Sequence, residues 1–230
     1  MRKKLIMLII VLFTIFPTQV WAQDYNKVIK WSPIDMYLNQ ANFSLEQNQG
    51  KNSIIIDIGI PLNRSINNNT YNYTKLGVQS VRFAYRHYTS NVFYKYTMTG
   101  FYYEPYIREN TIMFNAIPPT INLKFNSYLY ATSLGIQTGY QWRIHNNITI
   151  DLYFAGLEVG RANGRLIAYY KNPVDGLKMI DFINQKVEQN LPKYALKNYQ
   201  IGMLDGAVSA TLNNTPYIGF RGGISVGIAF

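Results

Sequence analysis

The sequence predicts an all-β fold: an eight-stranded antiparallel transmembrane β-barrel with a short helix in its last long loop. Three observations point there. Apolar residues alternate with small or polar ones at period two along most of the chain. Charged residues make up only 15% of 230, while 20 Tyr and 12 Phe are present, a balance suited to aromatic girdles rather than to a solvated exterior. Beyond residue 22 no apolar run approaches the roughly 20 residues that a spanning helix needs, which argues against a helical inner-membrane protein.

The N-terminus reads as a signal peptide, residues 1–22, followed by an outer-membrane domain, residues 23–230. Met1-Arg-Lys-Lys4 is cationic, Leu5 to Phe16 is apolar apart from Thr14, and Val20-Trp-Ala22 suits signal peptidase. The apolar run is about a dozen residues, too short for a spanning anchor. There is no cysteine, hence no disulfide framework and no lipidated N-terminus. Removing Arg2, Lys3 and Lys4 lowers the formal charge from +10 to +7. A basic surface can meet nucleic acid, anionic lipid or lipopolysaccharide. Export to the envelope speaks against nucleic acid and leaves outer-membrane lipid and lipopolysaccharide as partners.

Eight strands are expected: Val28–Leu38, Ala41–Gln49, Asn52–Leu62, Lys75–Tyr88, Met98–Arg108, Ser127–Ile144, Asn147–Arg161 and Tyr217–Phe230. In the last, Ile218, Phe220, Ile224, Val226, Ile228 and Phe230 face one way, and Gly219, Arg221, Gly223, Ser225 and Gly227 the other. Ile54, Ile56, Ile58 and Ile60 oppose Asp57 and Gly59; Val81, Phe83 and Tyr85 oppose Arg82 and Arg86. A soluble sandwich or lipocalin-like barrel also alternates. Here the polar face carries glycines and single charges of both signs, and the chain ends on an aromatic, which resembles the C-terminal signal by which outer-membrane barrels reach their assembly machinery.

Gln49-Gly50-Lys51 and His145-Asn146 are tight links, as inner turns should be. Asn63–Thr74, Glu109–Asn126 and Ala162–Pro216 are long, as external loops should be. The exception is Asn39-Gln40, a very short external turn; if Val28–Gln47 is one strand, the count falls to seven. Phase slips near Gly156 and Ser80 suggest bulges. Within Ala162–Pro216, Leu177, Ile180, Ile183, Val187 and Leu191 recur at helical spacing until Pro192. That helix either packs on the barrel rim or meets a membrane surface or partner. Trp31, Tyr88, Trp142 and Phe230 are expected in the inner aromatic girdle.

Ten charges should face inward: Glu46, Asp57, Glu104, Asp151 and, if the bulge restores its phase, Glu158, against Arg82, Arg86, Arg108, Arg143 and Arg221. An eight-stranded interior is just wide enough for side chains to fill it, and buried charges must be paired. The expected result is a salt-bridge plug; a gated ion path and a catalytic carboxylate pair are the alternatives. The two histidines, His87 and His145, fall at the inner end, away from the external rim where a lipid-modifying barrel enzyme needs one. No nucleophile, zinc, phosphate-loop or calcium-loop motif is present, so no catalytic residue, cofactor or metal is expected.

Lys30-Trp-Ser-Pro-Ile34, Phe43-Ser-Leu-Glu46, Phe83-Ala-Tyr-Arg-His-Tyr88, Gly100-Phe-Tyr-Tyr-Glu-Pro-Tyr-Ile-Arg108, Gly139-Tyr-Gln-Trp142 and the closing Arg221-Gly-Gly-Ile-Ser-Val-Gly-Ile-Ala-Phe230 occur in this order. Together the chain resembles the small outer-membrane β-barrel proteins of Bacteroidota-type bacteria, a family of largely unknown function. The resemblance implies a barrel broadly similar to OmpX or the OmpA transmembrane domain, with no known active site. The chain lacks the periplasmic peptidoglycan-binding domain of full-length OmpA proteins. The expected role is non-enzymatic: a structural or accessory envelope protein that stabilises the outer membrane or docks onto a larger envelope complex. The alternatives are a surface binding or adhesion module using its long loops and a lipid-modifying enzyme.

Overall fold

The computed structural model describes residues 26–62, 64–65, 73–89, 98–117, 124–144, 147–170, 173–190 and 193–230. The expected signal peptide, His145, Leu191 and Pro192 lie outside them. The strands are β1 (Lys27–Ser32), β2 (Gln40–Gln49), β3 (Asn52–Pro61), β4 (Arg64–Ser65), β5 (Tyr73–Tyr88), β6 (Gly100–Ile117), β7 (Lys124–Ile144), β8 (Ile148–Tyr169), β9 (Tyr199–Leu204) and β10 (Ala207–Ala229). Helices α1 (Pro173–Asn190) and α2 (Lys193–Leu196) separate β8 from β9, and a 3-10 turn, Ile34–Leu38, separates β1 from β2.

Alternation folds this chain into a closed ring. All pairings are antiparallel, in the order β1-β2-β3-β5-β6-β7-β8-β10, and β10 pairs back onto β1. Eight strands share the ring, as expected; β9 adds to β10 above it and β4 to β5. Register fixes the slope of the strands. From Val28 the partners run Glu46, Ile55, Ala84, Tyr106, Gly135, Glu158 and Gly219, which lies ten residues along β10 from Ala229, the partner of Val28. Ten residues are roughly 33 Å along a strand, and eight strand spacings roughly 38 Å across, so the strands incline about 40° to the ring axis.

The first hairpin differs from expectation. β1 ends at Ser32, because Pro33 offers no N–H to a ladder. The 3-10 turn follows and ends at Asn39 in the left-handed region, φ 58°. β1 and β2 are separate strands, which removes the seven-strand alternative. The β2–β3 turn is tight, with Gly50 at φ 70°, a conformation glycine adopts without strain. No register shift accompanies Ser80: β5 runs straight past β3 and β6, with Val78 half-buried inside and Gln79 outside. The bulge near Gly156 is real. It falls at Phe154–Ala155, both exposed, and turns Glu158 inward.

The long loops are shorter than expected, because strands continue into them. β6 runs nine residues past Arg108 and β8 eight past Arg161, and β10 begins ten before Tyr217. On this upper extension the inner face turns apolar. There Met179 and Ile183 of α1 pack with Ala168, Val208 and Ala210, against Phe125, Leu166 and Ile201. The helix thus covers the face continuous with the ring interior. β9 joins β10 through Asp205-Gly206, with Gly206 at φ 69°.

Outside, the ring is apolar. Thr132 pairs with Glu109 and Arg161, exposed charges on the outer face; from there to Trp142, no outward position of β6, β7, β8 or β10 is charged. That stretch of ten residues is roughly 33 Å of strand, or roughly 25 Å along an axis inclined by 40°.

Candidate functional site

The interior of the ring is polar, charged and nearly full. Lys30 from β1, 2% exposed, stands between Glu46 of β2 (2.6 Å) and Asp151 of β8 (2.7 Å), and donates to Gln141 Oε1 at 2.5 Å. Arg86 of β5 meets Glu104 of β6 at 2.7 Å, Asp151 at 2.9 Å and Glu46 at 3.5 Å. Its guanidinium lies 3.6 Å over the Tyr102 ring. Arg82 bridges Asp57 and Glu104, and Arg221 of β10 reaches Asp57 at 3.4 Å. Four cations and four carboxylates form one continuous neutral network. Arg108 and Glu158 make a looser pair above it, at 3.9 Å.

Tyrosines bond further carboxylate oxygens of Glu46, Asp151 and Glu158. Tyr88 Oη donates to Glu46 and Tyr102 Oη to Asp151, each at 2.7 Å; Tyr217 Oη donates to Glu158 at 2.8 Å. Their rings fill the space left by inward glycines. A Cβ on Gly135 would strike Tyr106, one on Gly139 would strike Tyr102, and one on Gly223 would lie 2.5 Å from Tyr153 Oη. At the end where Lys27 and Phe230 meet, Val28, Tyr88, Met98, Tyr102 and Ala229 close the interior with an apolar floor. Met98 is folded into it at φ 61° and accepts a hydrogen bond from Gln141. A polar gap, bordered among others by Ser32, Asn42, Tyr153, Arg221 and Ser225, has room for roughly one water molecule.

Of the ten expected inward charges, Glu46, Asp57, Arg82, Arg86, Glu104, Arg108, Asp151, Glu158 and Arg221 enter these ion pairs. Arg143 shares their face but sits half-buried at the end of β7. The cation at the network's lower centre is instead Lys30, which sequence reasoning missed. It is two residues from Val28 and Ser32, both inward, with Ile29 and Trp31 outward between them. Tyr88 also corrects expectation: it shares the parity of Arg82 and Arg86 and lies inside, not in the girdle. Trp31, Trp142 and Phe230 do face outward, and Trp31 and Trp142 belong to one row of partners through Val226 and Ile150.

Chemically, this arrangement stores charge rather than presenting it. Each carboxylate of the network faces at least one cation, and none stands beside a histidine. His87 lies on the outer side, with its Nδ1 2.7 Å from Asn52 Oδ1 and its ring 5.0 Å from Tyr103. Among the described residues no three His, Asp or Glu side chains are grouped to hold a metal ion. The chain matches no protein-family model, no curated protein and no solved structure.

Proposed function

We propose that this chain is a non-enzymatic outer-membrane β-barrel with a structural or accessory role in the cell envelope, of the kind its sequence resembles. The observation that carries the reading is the uncharged outer band, roughly 25 Å tall, around a neutral ion-paired interior. Apolar residues outside and charges inside invert the order of a soluble protein, and hydrocarbon is the solvent in which that inversion is stable. Lipid and lipopolysaccharide would then surround the wall, and the C-terminal strand would engage the assembly machinery. Expressed with its N-terminal segment, the protein is expected in the outer-membrane fraction, migrating faster on a gel when unboiled. Recovery from the soluble periplasm without a shift on boiling would defeat the proposal.

The filled interior makes a second expectation. Purified protein in a planar bilayer should give no steady, porin-like conductance steps, because the Lys30–Arg86 network and the Met98 floor occupy the ring. Large, stable steps would refute the plugged interior.

A binding role is the second reading, favoured by α1. Leu177 and Phe182 are more than half exposed on the helix that covers the upper extension. Replacing residues 173–198 by a short linker should leave a structural barrel assembled and functional, but abolish capture of a surface partner.

A further inference from the structure

Ring closure is uneven. β10 pairs with β1 only over Val226–Ala229 and with β9 only over Ala207–Leu212. Between Asn214 and Gly223, among the described residues, its ladder partner is β8 alone. Pro216 falls in this half-paired stretch, where a missing N–H costs least. Beside the stretch stands the 3-10 turn that replaces the continuation of β1. The wall therefore has a lateral seam, and the largest apolar exposures border it: Tyr37 at 87%, Ile218 at 74% and Phe220 at 69%.

The polar gap lies directly behind this seam. Ser32 marks the point where β1 leaves β10, its Oγ bonded to Ile224 O at 3.1 Å, and Arg221 and Ser225 line the gap from β10. Two buried atoms of its lining, Arg221 Nη1 and Asn42 Oδ1, have no hydrogen-bond partner among the described residues; nor has Oε1 of Gln137 opposite. Asn42 is 4% exposed and Arg221's side chain 10%. Buried polar atoms left unmatched cost about 1–3 kcal/mol each, so this is a site built to be occupied.

We propose that the seam is a lateral binding site for an amphiphile with an uncharged, hydroxyl-bearing head: the hydroxyl in the gap, the tail along Ile218 and Phe220. The inference rests on the membrane reading above. Lys30, Arg82, Arg86, Arg221 and Asp151 line the gap, and their charges are already balanced through Glu46, Asp57 and Glu104, so a charged head would arrive uncompensated in a buried setting. The unmatched atoms are a donor and two acceptors, and a hydroxyl both accepts and donates. The gap's size admits a hydroxyl in the place of a water, and a larger head would have to displace the 3-10 turn that Asn42 Nδ2 holds through Asp35 at 2.7 Å.

The test uses the mature chain in dodecylphosphocholine, a detergent without hydroxyls, and a monoacylglycerol carrying a photoreactive tail. Cross-links are expected to concentrate on peptides containing Tyr37 and Ile218–Phe220. Unlabelled monoacylglycerol should compete, while equal concentrations of oleate or free glycerol should not. Ser225→Leu, which fills the gap without removing a charge, should cut labelling at least tenfold, and Ile107→Ala on the far outer face should leave it unchanged. If Ser225→Leu does not assemble, Asn42→Leu serves the same purpose. Uniform labelling, or equal competition by oleate, overturns the site; equal competition by glycerol overturns the lipid as its source. Flotation with vesicles separates the two layers of the argument. A chain that floats but labels uniformly refutes the seam alone, whereas one that does not float refutes the membrane reading.

Discussion

Arg86→Ala is expected to destabilise the ring by about 3–5 kcal/mol, read as a lowered urea midpoint in detergent. Arg86 is buried against three carboxylates, Glu46, Glu104 and Asp151, and donates to Gln141 Oε1 at 2.7 Å. Its removal leaves one negative charge in excess in a buried interior closed at one end by the Met98 floor. The cost is that of the stranded carboxylate, more than of the lost contact, and this is separable. Adding Glu104→Gln to Arg86→Ala should restore part of the stability, although Glu104→Gln alone is also destabilising, since it leaves one cation in excess and Arg82 with Asp57 alone. A double variant no more stable than Arg86→Ala would show that the network is not energetically coupled. The same substitution at Arg143, half-buried at the rim, should shift the midpoint far less.

Gly139→Val is expected to be comparably damaging for a steric reason, by about 1–3 kcal/mol or more. A Cβ there meets the Tyr102 hydroxyl and comes within 2.5 Å of the Leu152 carbonyl. Tyr102 cannot retreat cheaply, because Arg86 stacks on its ring and its hydroxyl serves Asp151. The substitution therefore exports strain into the charge network. Gly139→Val should lower the midpoint and broaden the near-ultraviolet dichroism of the tyrosines. Gly50→Ala, in the open β2–β3 turn, should cost only the strain of its positive φ. Equal losses at the two positions would mean that interior crowding is not what Gly139 relieves.

Much of this architecture was legible because one rule, alternation, operates wherever the two faces differ. On β3, β7 and the lower half of β10 it separates Ile54, Leu134 and Ile228 from Asp57, Gln137 and Gly227, and the strands were found there. Above Asn110 the rule fails for a physical reason. On β8 the inner face becomes apolar where Leu166 and Ala168 meet α1, so Leu166-Ile167-Ala168 carries no in–out contrast; Ile112-Met113-Phe114 of β6 is likewise apolar throughout, and both read as loop. Asp205-Gly206 was a hairpin signal inside that apparent loop. The helix itself was legible from its spacing, but which face of the sheet it covers was not. Parity also sufficed to place the inward charges, with Lys30 overlooked. It could not say which charges share a layer, because layers depend on the ten-residue stagger around the ring. That is why Arg143 stood where Lys30 belongs.

The first and last strands of the ring are stitched to each other: Lys27 N donates to Phe230 O, and Phe230 N to Lys27 O. This closing pairing has no turn and joins the first and last strands of the ring, so its entropic cost falls due after every other pairing in the ring has formed. Until then Lys30 lacks Asp151, and the open sheet carries unbalanced charge on the face it is about to bury. Neutralisation and closure are thus one event, and a nascent chain missing its final strand has no intermediate ring to rest in.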